Sequence, residues 1–220
     1  MTIQNYNLLK QEIVYLLRNG DVFTTSEREV STTSTTRVLN NDSSLLINVG
    51  NVKNIRSLTI GSNSLKLYTD YDLDITFNDS GSIKTLVTFK TPQTGSYEVV
   101  YDYGKDKIFP DLPKPEIKIS SFPRIGIDII GEDSEDNELS GNSELVNISF
   151  SIIVYRNKTW DIDEIIHKIK TLIFNNKKTL YNARYIKKLS SGPITKFIDG
   201  KEKIFQRNID YISILNEEMN

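Results

Sequence analysis

FPRIGIDII (Phe122 to Ile130) and LVNISFSIIVY (Leu145 to Tyr155) are the two stretches whose reading decides the fold. Both are rich in β-branched residues, and in the second Ile148, Phe150, Ile152 and Val154 recur at every other position, the period of a strand. They read as two long strands joined by an acidic loop, GEDSEDNELSGNSE, which makes a hairpin with an unusually long tip. Downstream, Asp161 and Glu164 form a D-x-x-E capping pair ahead of Ile162, Ile165, Ile166, Ile169, Leu172 and Ile173, whose spacing predicts a helix. Two further strands are expected in ARYIKKL (Ala183 to Leu189) and NIDYISI (Asn208 to Ile214), with turns at Gly192-Pro193 and Asp199-Gly200.

Upstream of Phe122, the segment IFPDLPKPEIKISSFP holds four of the six prolines and reads as an extended domain border. Before it, from Arg37 to Gly104, the period is two. SLLINV (Ser44 to Val49), RSLTI (Arg56 to Ile60), SLKLY (Ser64 to Tyr68), DITF (Asp74 to Phe77), IKTLVTF (Ile83 to Phe89) and SYEVVYDY (Ser96 to Tyr103) alternate with turns at Gly50-Asn51, Gly61-Ser62, Ser80-Gly81 and Gly95. This spacing predicts a small antiparallel β-sandwich. Thr24 to Thr36 is a Ser/Thr-rich connector. At the start, Tyr6, Leu9, Ile13, Leu16 and Leu17 make one apolar stripe that Gly20 ends, so a helix is expected over the first twenty residues.

Neither flanking piece completes a core alone. Joined, they give helix, strand, strand, helix, strand, strand. The expected fold class is therefore α+β: two helices packed on an antiparallel sheet of about four strands, built from residues 1–30 and 105–220 and interrupted by an inserted all-β sandwich at 31–104. Two consecutive domains, with the first helix packed on the sandwich, are the alternative.

Composition bounds the function. The chain has 220 residues, 38% apolar and 25% charged, with a net charge of -2 and a mean hydropathy of -0.35. No stretch approaches the roughly 18 apolar residues of a membrane span, and the opening residues lack the continuous apolar core of a signal peptide, so a soluble chain made in a cytoplasm is expected. Cys is absent, which excludes disulfides, thiolate nucleophiles and Cys-based zinc sites. Ala occurs once, at Ala183, consistent with more strand than helix. Acids outnumber bases from Asp111 to Trp160 and bases outnumber acids from Asp161 onward, so opposite ends of this half are expected to meet in an assembly.

Few residue patterns carry chemistry. His167 is the sole histidine and falls on the polar side of its helix, as a solvated residue does. No phosphate-binding glycine loop occurs, and neither a catalytic site, a cofactor nor a metal is expected. Glu132, Asp133, Glu135, Asp136 and Glu138 crowd the hairpin loop without the glycine that a calcium loop needs, which leaves a solvated tip or an assembly surface. Asp70, Asp72 and Asp74 alternate on one strand face. Tyr97, Tyr101 and Tyr103 form an aromatic row suited to packing. Lys187, Lys188, Lys196, Lys201, Lys203 and Arg207 form a loose basic cluster without the interleaved aromatics of a nucleic-acid platform, and suit docking on an acidic protein surface.

The order of an amphipathic helix, Phe122 to Ile125 (FPRI), the strand Val146 to Arg156 and a helix opening at Asp161 resembles the tail terminator and tail completion proteins of long-tailed bacteriophages. The resemblance covers residues 1–20 and about 108–215, and the sandwich departs from it, being similar to immunoglobulin-like decorations of virion proteins. It implies a non-enzymatic virion protein of the tail or neck. That protein forms a ring, usually of six subunits, which caps the tail tube, meets the tube protein below and the head connector or stopper above, and passes DNA through its lumen without specific binding. No membrane partner is implied. Other neck components, or a sandwich module recognising glycan or a host surface, are the alternatives. In such a ring the acidic loop faces either the lumen, where it repels DNA, or a docked tube subunit.

Overall fold

A computed structural model describes residues 3–49, 51–111, 122–136, 143–181, 185–199 and 202–218. In chain order, the elements begin with α1 (Ile3–Asn19), α2 (Thr25–Arg28), β1 (Val30–Ile47), β2 (Val52–Ile60), β3 (Asn63–Leu65) and β4 (Tyr71–Asp79). There follow β5 (Ser82–Gly104), β6 (Ile108–Phe109), β7 (Arg124–Asp136) and β8 (Ser143–Arg156). The chain closes with α3 (Trp160–Asn176), β9 (Lys187–Ser191), β10 (Thr195–Asp199) and β11 (Glu202–Glu218). They form two compact units, one of Met1–Phe23 with Lys107–Asn220, the other of Thr24–Asp106.

The first unit is a six-stranded sheet in the order β10-β11-β8-β7-β6, with β9 beside β10 on the same edge of β11. Alternation assigns the faces. Ile125 and Ile127 of β7, Val146 through Val154 at even positions of β8, and Ile209 and Tyr211 of β11 are all buried in one apolar cluster. That cluster takes Leu9, Ile13, Val14 and Leu17 from α1 and Ile162, Ile165, Ile166, Ile169 and Ile173 from α3, so both helices cover the same face. Each helix buries a stripe at i, i+3 and i+4. The end of α1 is fixed by Arg18, whose Nη2 donates to the Ile108 carbonyl at 2.8 Å. Gly20 passes closely over Leu172, where a Cβ would stand 2.3 Å from Cδ2.

The second unit is a five-stranded antiparallel sheet, β1-β5-β2-β3 with β4 also on β5. β1 runs alongside β5 from Val30↔Gly104 to Ile47↔Thr85, interrupted by bulges at Asn40/Asp42 and Asp42/Ser44. β2 borders the far half of β5 and β4 the near half. Val87 and Val99 are both fully buried in one core although about 40 Å would separate them on a straight strand. Only the sheet's other half is available to cover each, so the sheet folds over itself near the bulges, where Asn41 and Gly95 take positive φ.

Several expectations are overturned. The α+β class with about four strands under two helices fails: the chain is predominantly β, and its described residues form three helices, six strands in one sheet and five in the other. The added strands of the first sheet are β6, which opens the proline-rich stretch, and β10, whose TKFID carries no period-2 signal. The Thr24 to Thr36 connector is instead α2 and the beginning of β1, whose stretch from Val30 to Arg37 has Val30 as its one apolar residue to betray it. The runs over Ile83 to Phe89 and Ser96 to Tyr103 are one strand, β5, with Gly95 inside it. The acidic loop is largely a ladder, paired as far as Asp136↔Glu144. Finally, α3 starts at Trp160 after Thr159, which makes no side-chain cap. Asp161 of the expected capping pair instead faces Arg156 at 3.5 Å, and Asp163, the other first-turn acid, pairs with Arg207.

Candidate functional site

The described residues of the first unit hold a groove of about 470 Å³ between the C-terminal half of α3 and β9. Its position follows from two local patterns. On α3, the isoleucine stripe fixes the helix rotation, which leaves His167 exposed and Lys170, Phe174 and Lys177 on the flank. On β9, the register slips between Asp210 and Tyr211, and Lys187 and Lys188 fall opposite Ile212 and Tyr211 as part of the groove wall. Ile173 and Ile186 supply apolar lining, and Phe174 remains 67% exposed with Lys177 over its ring at 4.3 Å. The groove is thus an apolar trough flanked by four lysines and a histidine.

Two groups in it are electrostatically stressed. Burial lowers the Lys170 ammonium below its ordinary value, and nearby Lys188 and Arg207 lower it further against the pull of Asp163. Tyr211 stacks on Phe150 at 5.6 Å and is 2% exposed, yet its hydroxyl has no hydrogen-bond partner among the described residues. Burial pushes that hydroxyl well above the usual tyrosine range. An unpaired buried hydroxyl costs about 1–3 kcal/mol, so an acceptor entering the groove would be welcome there.

Of the basic residues singled out in the sequence, Lys187 and Lys188 reach the groove. Lys196 and Lys203 lie along the β10–β11 ladder, opposite Phe205 and Ile198. Arg207 is engaged by the Asp163 carboxylate and donates through Nε to the Gly192 carbonyl at 2.9 Å. Lys201 lies outside the described residues. The acidic set belongs elsewhere: Glu132 and Asp133 are exposed on β7, Glu135 and Asp136 continue that strand, and Glu138 lies outside the described residues. Sequence reasoning missed Lys170 and Lys177, whose signal was their position one flank away from the isoleucine stripe.

Two other polar clusters have clear structural work. On the sheet face away from the helices, Asp210 accepts from Ser151 Oγ at 2.8 Å, from Asn208 Nδ2 at 2.9 Å and from Ser190. Burial would raise this carboxyl, but those donors hold it below its ordinary value. The Ser151 proton is committed to Asp210, and His167 belongs to the opposite side. In the second unit, fully buried Arg28 donates to Asp106 at 2.8 and 3.3 Å and to Asp102 at 2.9 Å. Asp102 also accepts from Arg56 at 2.8 Å and Thr32 at 2.7 Å. Asp70 bonds the Lys66 amide in a turn and Asp72 pairs with Lys90, so the expected carboxylate row is divided. Tyr97 and Tyr101 are core residues and Tyr103 packs against them.

Among the described residues no group of three or more metal-ligating side chains occurs, and no helix is long and apolar enough to cross a membrane. No family model matches the sequence, and neither does any curated protein.

Proposed function

We propose that this chain is a non-enzymatic virion structural protein that forms a ring, capping a bacteriophage tail tube and joining it to the head connector. The observation that supports it is the placement of α1 and α3. Far apart in sequence, they share one apolar layer over the strand that the FPRI segment opens and over β8. This is the element order on which the resemblance to tail terminator proteins rests. The chemistry of the polar clusters points the same way, since Arg28, Asp102, Asp106, Ser151 and Asp210 spend their donors and acceptors on one another. The test is electron microscopy of the purified protein with and without cognate tail tubes. Six-fold rings seated on tube ends are expected. A strict monomer that leaves tubes bare and binds glycans would reassign the chain to a β-sandwich recognition module.

A further inference from the structure

We propose that the groove beside α3 receives the acidic sheet end of a second copy of this chain, so that copies join head to tail. The inference rests on the ring reading and deepens it by naming the contact between subunits.

The receiving side is a cationic trough with an unmet acceptor requirement. Lys170, Lys177, Lys187 and Lys188 flank apolar Ile173 and Ile186, and the buried Tyr211 hydroxyl lacks a hydrogen-bond partner among the described residues. Crowding of Lys170 by Lys188 and Arg207 is a cost that a carboxylate between them removes.

The entering side is created by strand register. Glu144 of β8 lies between Asp136 of β7 and Glu217 of β11, and Glu132, Asp133 and Glu135 follow along β7. No lysine or arginine occurs in these strand ends, 131–136, 143–149 and 213–218.

The occupant must come from another copy. Tyr211 is level with Phe150, and Glu144 lies six residues farther along β8, about 20 Å at strand rise. The ladder is paired on both sides of β8 over that whole distance, so the acidic end cannot turn back into its own groove without being dismantled. A groove at one place and its complement at another make a heterologous contact, which closes into a ring when the rotation permits and otherwise propagates.

The experiment is sedimentation velocity of the full chain over a concentration and salt series, with three variants. Lys187→Glu with Lys188→Glu reverses the groove. Glu132→Lys with Asp133→Lys reverses the sheet end, and a third chain carries all four changes. All four positions are exposed, so folding should persist, with circular dichroism as the check. The expected result is self-association that weakens with salt, falls at least tenfold in each two-residue variant, and returns in the four-residue variant and in an equimolar mixture of the two partial ones. A wild-type chain that stays monomeric, partial variants that associate normally, or a four-residue variant that fails to recover overturns the contact. Tubes capped normally by both partial variants would sink this contact while leaving the capping function standing. Charge-rescued association of a protein that never caps tubes would do the reverse. A monomer that binds the free peptide GEDSEDNEL would move the groove's occupant to another protein.

Discussion

Gly20 and Leu172 occupy a gap too narrow for a single added carbon: a Cβ on Gly20 would stand 2.3 and 2.6 Å from the two Leu172 methyl carbons and 3.0 Å from Cγ. Gly20→Ala must therefore displace the leucine from the seam where α1 ends against α3. The expected loss is about 1–3 kcal/mol, the usual cost of overpacking. Combining it with Leu172→Ala should cost less than the sum of the two single changes, and chemical denaturation of the four-variant cycle checks this.

Arg28 is completely buried, with carboxylates on two sides. Arg28→Ala would leave Asp102 and Asp106 without their shared cation at a cost of about 3–5 kcal/mol. Burial favours the neutral Asp102 carboxyl, yet Arg56, Thr32 and Arg28 together hold it below its usual value. Its contribution is then full above the unfolded aspartate value near 4 and lost as pH falls through the lower folded value. Thermal melts of residues 24–106 from pH 7 to 2 should show this loss, and Asp102→Asn should flatten the acid limb. An unchanged limb would refute the assignment.

Ile166 lies 1% exposed between α3 and the sheet. Ile166→Asp puts an unpaired carboxylate there and is expected to cost several kcal/mol, on the order of 3–5. Removing residues 1–20 strips Leu9, Ile13, Val14 and Leu17 from the same cluster, so a chain of residues 107–220 should lack a cooperative melt. A normal, sharp transition in that fragment would show that α1 is dispensable to the fold.

Alkaline stability depends on half-buried Tyr15 and buried Tyr211. Burial pushes the Tyr15 hydroxyl up to about 12 against the opposing effect of Arg18, and Tyr211 is raised as well. Folded protein keeps these protons where an unfolded chain, with tyrosines near 10, releases them. Their stabilisation is therefore complete below about pH 10, and the Tyr15 share disappears as pH rises through about 12. Tm measured between pH 8 and 12 should fall steeply over the last two units, and Tyr15→Phe should shallow that fall. A flat profile would count against it.

Periodicity made α3 legible, because five isoleucines at helical spacing admit one orientation, and it made β7 and β8 legible through alternation. It was silent where polar residues continue a strand. β1 starts in Ser/Thr-rich sequence, and β7 and β8 extend through acids whose pairing depends on the neighbouring ladder. Propensity alone also misplaced the cap of α3, where Asp161 is drawn to Arg156 instead of the helix amides. Lys187 and Lys188 were visible as basic residues. Their meeting with Lys170 and Lys177 required the α3 rotation and the β9 slip together, and no linear spacing encodes that.

The Arg28–Asp106 pair also bears on the order of folding during synthesis. α1 is made well before β6 and β7, the first strands it packs on, and at about 5–20 residues per second that delay is on the order of 5–20 s, during which Leu9, Ile13 and Leu17 wait for their sheet. Once Asp106 has emerged, the second unit holds every residue of its own core and its buried ion network. Its collapse pins positions 28 and 106 together and turns a tether of roughly eighty residues into a short one, which lowers the closure entropy for bringing α1 to later strands. The inserted unit thus acts as an early-folding clasp, and the helix made before it is buried only by strands made after it.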